Sequence, residues 1–258
     1  MGKEIVLISG GLGDIGSAIA IFFGKKGHRV AICDKQEDKD AVSRLEELRS
    51  GGCGDLLYRK VDVTSEEQIA SWLEEVETQW GIAQVIIPNA GIVVQGAFTD
   101  PEQKISRVRK QLEVNFWGCH HLAVLGAAKL RTAGLPGRIV FMGSWAAERP
   151  MARISSYCVS KAAVRMLCKT LALELAPYDI LVNEIAPGIV EGGLSRKNQQ
   201  KDPELLKTHL EAIPVHKLIP VMEVAAQVYR LADFNNTSIT GSTITLDGGL
   251  SLTSKMTP

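Results

Sequence analysis

The chain lacks a bias of charge. Its 258 residues carry 29 Lys and Arg against 29 Asp and Glu, so the formal net charge is zero. Without a basic run there is no electrostatic footprint for a phosphate backbone, which excludes an ordinary nucleic-acid binder. A long apolar run is missing too. The uncharged stretch over 82–99 is broken by Gln84, Pro88, Asn89, Gly91 and Gln95, and makes a poor membrane span. Five cysteines (Cys33, Cys53, Cys119, Cys158, Cys168) form no Cys-x-x-Cys pair. An odd, scattered set reads as free thiols in a reducing cytoplasm, not as disulfides or a zinc site. His120-His121 is the one histidine cluster, and neighbouring helical residues point apart, so no metal is expected. Met1-Gly2-Lys3-Glu4 passes directly into Ile5-Val6-Leu7-Ile8, an opening that predicts no signal peptide. Val at position 6 also fails the myristoylation pattern.

What is present is an alternation of short apolar runs with longer helical patterns. Strands are predicted over 4–8, 29–33, 56–61, 84–87, 138–142, 181–185 and 243–246, and helices near 14–26, 38–50, 66–80, 101–133, 155–176 and 221–233. In the first helix Ile15, Ala18, Ile19, Phe22 and Phe23 fall on one face, and Gly27 stands where a helix stops. Such alternation implies an α/β fold with a doubly wound parallel sheet of about seven strands and helices on both faces. No linker or repeat divides the chain, so one domain over 1–258 is expected. The polar segment 191–220 is the exception and reads as an insert that covers a site.

Ser9-Gly10-Gly11-Leu12-Gly13-Asp14-Ile15-Gly16 lies between the first strand and the first helix. Glycines there let backbone N–H groups at a helix N-terminus approach a dinucleotide diphosphate. Eighteen residues beyond Gly16 the second strand ends in Asp34. A carboxylate at that place accepts both hydroxyls of an adenosine ribose and repels a 2′-phosphate, which predicts NAD(H) over NADP(H) even with Lys35 beside it.

Together with Asp62-Val63, Asn89-Ala90-Gly91, Asn115, Ser144, Tyr157-x-x-x-Lys161, Pro187-Gly188 and a tail Ile239-Thr240-Gly241 to Asp247-Gly248-Gly249, this chain resembles the short-chain dehydrogenase/reductase family over nearly its whole length. Tyr157 and Lys161 are neighbours on a helix face. A phenol that titrates near pH 10 in isolation becomes a usable base beside an ammonium. The resemblance implies the roles. Tyr157 exchanges the proton, Ser144 orients and polarises the substrate oxygen, Lys161 tunes Tyr157 and holds the nicotinamide ribose, and Asn115 supports a water-linked proton path. It likewise implies a cofactor site at Gly10, Gly13, Asp14, Ile15, Gly16, Asp34, Asp62, Val63, Asn89, Ala90, Gly91, Tyr157, Lys161, Pro187, Gly188 and Val190, with Asp62 at the adenine. Val93, Val94, Gln95, Trp145, Met151, Ile154 and the 191–217 stretch would wall the substrate.

Two positions depart from the family pattern. Asp14 stands where the commonest loop has its middle glycine, and a carboxylate about 6 Å from a diphosphate costs of order 1–3 kcal/mol. The expectation is that it turns away from the phosphates. Gly192 stands where the family often has a threonine that contacts the nicotinamide amide.

The reading is an NAD(H)-dependent interconversion of a secondary alcohol and a ketone, on a small or medium sugar, polyol or hydroxy acid. The nearest rival is a 3-oxoacyl carrier-protein reductase, for which Arg107, Arg109, Lys129, Arg131, Arg165 and Lys169 would form a basic face. A catalytically idle nucleotide-binding protein is the alternative of another class. Stripes such as Leu122, Leu125, Leu167 and Leu171 suggest a face for a homo-oligomer, by resemblance a tetramer or dimer.

Overall fold

A computed structural model describes residues 3–193 and 203–253. Seven strands form one parallel sheet: β1 (Ile5–Ser9), β2 (Arg29–Asp34), β3 (Leu56–Lys60), β4 (Val85–Ile87), β5 (Gly137–Met142), β6 (Ile180–Pro187) and β7 (Thr243–Leu246), in the order β3-β2-β1-β4-β5-β6-β7. The order reverses between β1 and β4, so the loops after these two strands part and open a crevice at their carboxyl ends. Every predicted strand is found within one or two residues of its expected bounds. The reason is visible in burial: the central strands are apolar on both faces, as a sheet covered on both sides requires.

One layer holds α1 (Asp14–Lys25), α2 (Asp38–Ser50) and α8 (Val221–Ala232); the other holds α3 (Glu66–Trp80), α5 (Gly118–Ala133) and α6 (Ser155–Leu175). Two apolar cores result, one on each face. Phe23, Ile32 and Val228 belong to the first, and Trp72, Ile86 and Phe141 to the second. Ser65 starts α3 by accepting from the Gln68 N–H at 3.2 Å, and Gly134 ends α5 in the left-handed conformation.

Where one helix is predicted over 101–133, the chain builds α4 (Ile105–Leu112), a π-helical turn at Glu113–Trp117 and then α5. The stripe expected to be exposed turns inward. Leu122 and Leu171 are buried in the core, with Leu125 and Leu167 packed against it. Periodicity marked the apolar face correctly but not the surface it meets. The insert at 191–220 is described in part: α7 (Pro203–Ala212) and the return to α8 are seen, while 194–202 lie outside the described residues. Among the described residues no helix is long and apolar enough to cross a membrane, and no group of three or more His, Cys, Asp or Glu could hold a metal ion. All five cysteines are buried and free.

Candidate active site

A cavity of about 800 Å³ runs along the carboxyl ends of the strands. Its first wall is the loop between β1 and α1, where Gly10, Gly13, Asp14, Ile15 and Gly16 line it. The glycines are there for space. A Cβ on Gly16 would lie 2.3 Å from the Gly10 carbonyl oxygen, and Gly10 itself takes φ +66° under Ala90. Gly13 occupies the N-cap of α1 and has no side chain to cap the first turn, so a helix N-terminus opens on the cavity. The cradle fits a diphosphate. Ser9 and Asn89 lock it: the Ser9 hydroxyl accepts from the Asn89 and Ala90 N–H groups at 3.0 and 3.1 Å, and the Asn89 amide donates to the Ser9 and Gly10 carbonyls. Asp34, at the end of β2, lines the same cavity and accepts from the Lys35 and Leu12 N–H groups at 2.8 and 3.3 Å.

The second wall holds the serine, tyrosine and lysine singled out in the sequence. Tyr157 and Lys161 sit one turn apart on α6 and both line the cavity, opposite Ser144 at the end of β5. Lys161 is buried, its Nζ donating to the Met142 carbonyl at 2.8 Å and lying 5.7 Å from the centre of the Tyr157 ring. Ser144 Oγ accepts from the Ala146 N–H at 3.2 Å, which leaves its own hydrogen to be donated elsewhere. Asn115, in the π-helical turn, is fully buried behind Gly91 and does not line the cavity. It closes a pair of bonds with Ile92, accepting from the N–H at 2.8 Å and donating to the carbonyl at 3.0 Å, and donates also to Ser160 Oγ. A Cβ on Gly91 would come within 3.5 Å of Asn115 Oδ1 and 3.8 Å of Lys161 Nζ, so these groups converge.

Gln95, Trp145, Met151 and Ile154 line the far end of the cavity, joined by Ile189 and Leu250. Pro187, Gly188 and Val190 line it after β6. Val94 does not: it is buried and donates its N–H to Gln111 Oε1, and Val93 faces the cavity instead. Asp62 and Val63 also lie off the cavity wall. Asp62 accepts from the Thr64 N–H and hydroxyl at 3.0 and 2.8 Å; burial raises its carboxyl, but these bonds with Lys110 and Lys35 outweigh it and hold the group below the usual range. Val63 packs into the core.

The family model described as "Enoyl-(Acyl carrier protein) reductase" matches residues 12–251. An NAD-dependent glycerol dehydrogenase of Listeria innocua is 30% identical over 254 residues, 96% of this chain and 94% of that protein. The chain belongs to the short-chain dehydrogenase/reductase family. It is an oxidoreductase of that family, as its curated relatives acting on alcohol groups are. Among solved structures, ElxO with NADP bound is similar at TM-score 0.90 and 28% identity, covering 98% of this chain and 100% of that one. An NAD+-bound xylitol dehydrogenase is similar at TM-score 0.86 and 26% identity, covering 95% and 98%.

The two departures from the short-chain dehydrogenase/reductase pattern prove to be one feature. The Asp14 carboxylate turns to the loop after β6, where Oδ2 accepts from the Gly193 N–H at 2.9 Å, and Oδ1 lies 3.3 Å from Arg44 of α2. A side chain at 192 would need that space: its Cβ would lie 3.3 Å from Asp14 and 3.2 Å from Val221. The 191–217 stretch expected to wall the cavity reaches it through α7, whereas reading along the sequence missed Gln111 and the pair Arg165–Glu184. Glu204, Leu205, Thr208, His209 and Ala212 of α7 line the cavity. Burial pushes the His209 imidazole down, so it is neutral at pH 7. Gln111 ties Val94 to Ser156, and Arg165 meets Glu184 beneath Ser144. A Glu in the wholly buried strand 180–187 was the available signal for the last pair, because a charge buried there demands a partner. Arg165 therefore drops out of the basic face expected for a carrier protein.

Proposed function

We propose that this chain is an NAD(H)-dependent oxidoreductase that interconverts a secondary alcohol and a ketone on a sugar, polyol or hydroxy-acid substrate of small or medium size. One observation carries the reading: Ser144, Tyr157 and Lys161 line the same cavity as the glycine cradle and Asp34. In the oxidising direction Tyr157 acts as its phenolate and takes the proton of the substrate hydroxyl to become the phenol. Ser144 donates its hydroxyl hydrogen to the substrate oxygen and fixes the reacting carbon. Lys161, tied at one N–H to the Met142 carbonyl, keeps two donors and its positive charge for the phenol oxygen and the ribose. Asn115 keeps the Ile92 backbone and the space around Lys161 in place. The hydride acceptor is supplied by the bound nicotinamide.

Asp34 supports NAD over NADP, since a carboxylate in the cavity lining at the end of β2 would repel a 2′-phosphate. The polar set Gln95, Glu204, Thr208 and His209 at the far end supports a hydroxylated substrate, and two similar proteins are named for glycerol and xylitol. The model's carrier-protein description favours a second reading, a 3-oxoacyl carrier-protein reductase. Against it, Arg165 is buried, and Lys129 is paired with Glu77 at 2.6 Å. A homo-oligomer in the cytoplasm, formed through α4, α5 and α6, completes the proposal.

The test is a rate screen of polyols, sugars, hydroxy acids and a 3-oxoacyl thioester with NAD(H) and NADP(H), beside Tyr157→Phe. NAD-linked turnover of a polyol, reduced by at least about 100-fold in the variant with NAD affinity kept, is the expected result. NADPH-linked reduction of the thioester would make the rival correct. Silence across the panel with NAD still bound would leave a nucleotide-binding protein without this chemistry.

A further inference from the structure

Tyr157 and Lys161 are the first two members of a stripe on α6 whose third member is Arg165. Spaced by four residues, all three face the segment that leaves β5. Arg165 is buried and spreads its guanidinium over that segment. Nε donates to Glu184 Oε2 at 2.8 Å, and Nη2 donates to Glu184 Oε1 at 3.2 Å and to the Ser144 carbonyl at 3.1 Å. Nη1 lies 2.5 Å from Glu148 Oε1, just past the turn 145–147. Glu184, on β6, is fully buried, and its Oε2 also accepts from the Thr243 hydroxyl at 2.8 Å. It presses against the backbone from beneath: a Cβ on Gly143 would fall 1.7 Å from Glu184 Oε1.

An ion pair buried in this way is a poor source of stability, because apolar side chains of the same volume do as well or better. Its geometry supplies something those side chains cannot, a charged fork on one backbone carbonyl and a rigid floor under the residue before it. We propose that Arg165 and Glu184 are positioning residues that set the location of the Ser144 hydroxyl, an inference that rests on the catalytic reading of Ser144. Glu184 fixes Gly143 from below, and Arg165 fixes the Ser144 carbonyl. Ser144 Oγ is thereby held in one place in the cavity, and Trp145, next in the chain, with it.

Two replacements separate this role from general support of the fold. Arg165→Lys keeps a cation beside Glu184 but loses the fork that reaches Ser144 at the same time. Arg165→Met/Glu184→Met removes both charges together, so no buried charge is left alone if a single change fails to fold. Each is made in the wild-type chain and in a Ser144→Ala chain, and kcat and KM are measured with NAD and the fastest polyol of the screen. Against wild type, kcat falls about 10- to 100-fold while KM for NAD stays within about twofold. Against Ser144→Ala, the same replacements change kcat by less than about twofold, since the group they position is gone. A crystal structure of the double variant shows Ser144 Oγ moved by about 1 Å. Equal falls in both backgrounds, or a Ser144 Oγ that has not moved, overturn the inference and leave the catalytic reading standing. Full activity in Ser144→Ala itself overturns the catalytic reading and this inference with it.

Discussion

Asp14 places a negative charge at the mouth of a cradle built for an anion, and its partners explain how the chain tolerates it. Arg44 lies against one oxygen and the Gly193 N–H bonds the other, so much of the charge is answered locally. Asp14→Asn keeps an acceptor for Gly193, deletes the charge and leaves Arg44, still tied to Glu47 and Ser17, without that counter-charge. Both changes raise the local positive potential, and NAD binding should tighten by roughly 1 kcal/mol, about fivefold, in a calorimetric titration. Weaker binding in the variant would mean that the carboxylate holds the loop by more than its acceptor. Neither partner of Asp14 was legible beforehand: position 193 is 179 residues away in sequence, and no local pattern connects the two. The cysteines, by contrast, read correctly as free thiols, and their chemistry follows from burial. Burial pushes Cys53 up to about 11 and Cys168 up to about 12, with the nearby Asp55 and Glu184 adding to the rise. Cys33 lies well above the ordinary thiol range for the same first reason. A raised pKa leaves the thiol protonated at pH 8, where a thiolate is needed for attack. Ellman's reagent should therefore label these cysteines in the native chain far more slowly than in denaturant.

Among the elements, strands and glycine loops were legible because their signals are local, a buried apolar run or a small residue at a crowded turn. The π-helical turn was not. A helix predicted to run unbroken over 101–133 gains an extra residue at 113–117, and such bulges commonly mark functional sites. The physical cause sits in Asn115, whose carboxamide pairs with both backbone groups of Ile92 in the loop after β4. Helix propensity carries no information about that loop. Asn115→Leu would leave the half-buried Ile92 N–H and carbonyl without these partners, a loss of about 2–3 kcal/mol. For a chain of this size the melting temperature should fall by roughly 5–10 °C in a thermal scan. An unchanged midpoint would mean that the loop finds other partners. The second hidden element, α7, lies in the polar stretch read as an insert, where mixed charge masks the helical pattern. Glu204, Thr208 and His209 of this helix line the cavity.

On the scale of the molecule, α6 has two faces with different tasks. Tyr157, Lys161 and Arg165 look toward the cavity and the strand ends, while Val159, Met166 and Leu173 recur every seven residues on the opposite side, 51, 62 and 81% exposed. Two helical turns separate each member from the next, so the three form one apolar ridge. Ile105 of α4 and Trp117 of the π-helical turn are exposed too. Large apolar side chains spaced in this way suit a self-complementary contact about a two-fold axis, where each copy presents the same ridge. The ridge differs from the stripe expected from the sequence, which the sheet had already claimed through Leu122 and Leu171. Leu173→Glu combined with Met166→Glu would place two carboxylates on each copy of the ridge, facing their like across the axis. Sedimentation should then show a species smaller than the one the wild-type chain gives, with the far-UV spectrum unchanged because both positions face outward. Val159 stands between Tyr157 and Lys161 in the chain, so a copy docked on the ridge also braces the helix that carries the proposed catalytic pair. Loss of assembly should accordingly lower kcat more than it raises KM. Wild-type sedimentation of a 28.0 kDa monomer would remove the contact and that dependence together.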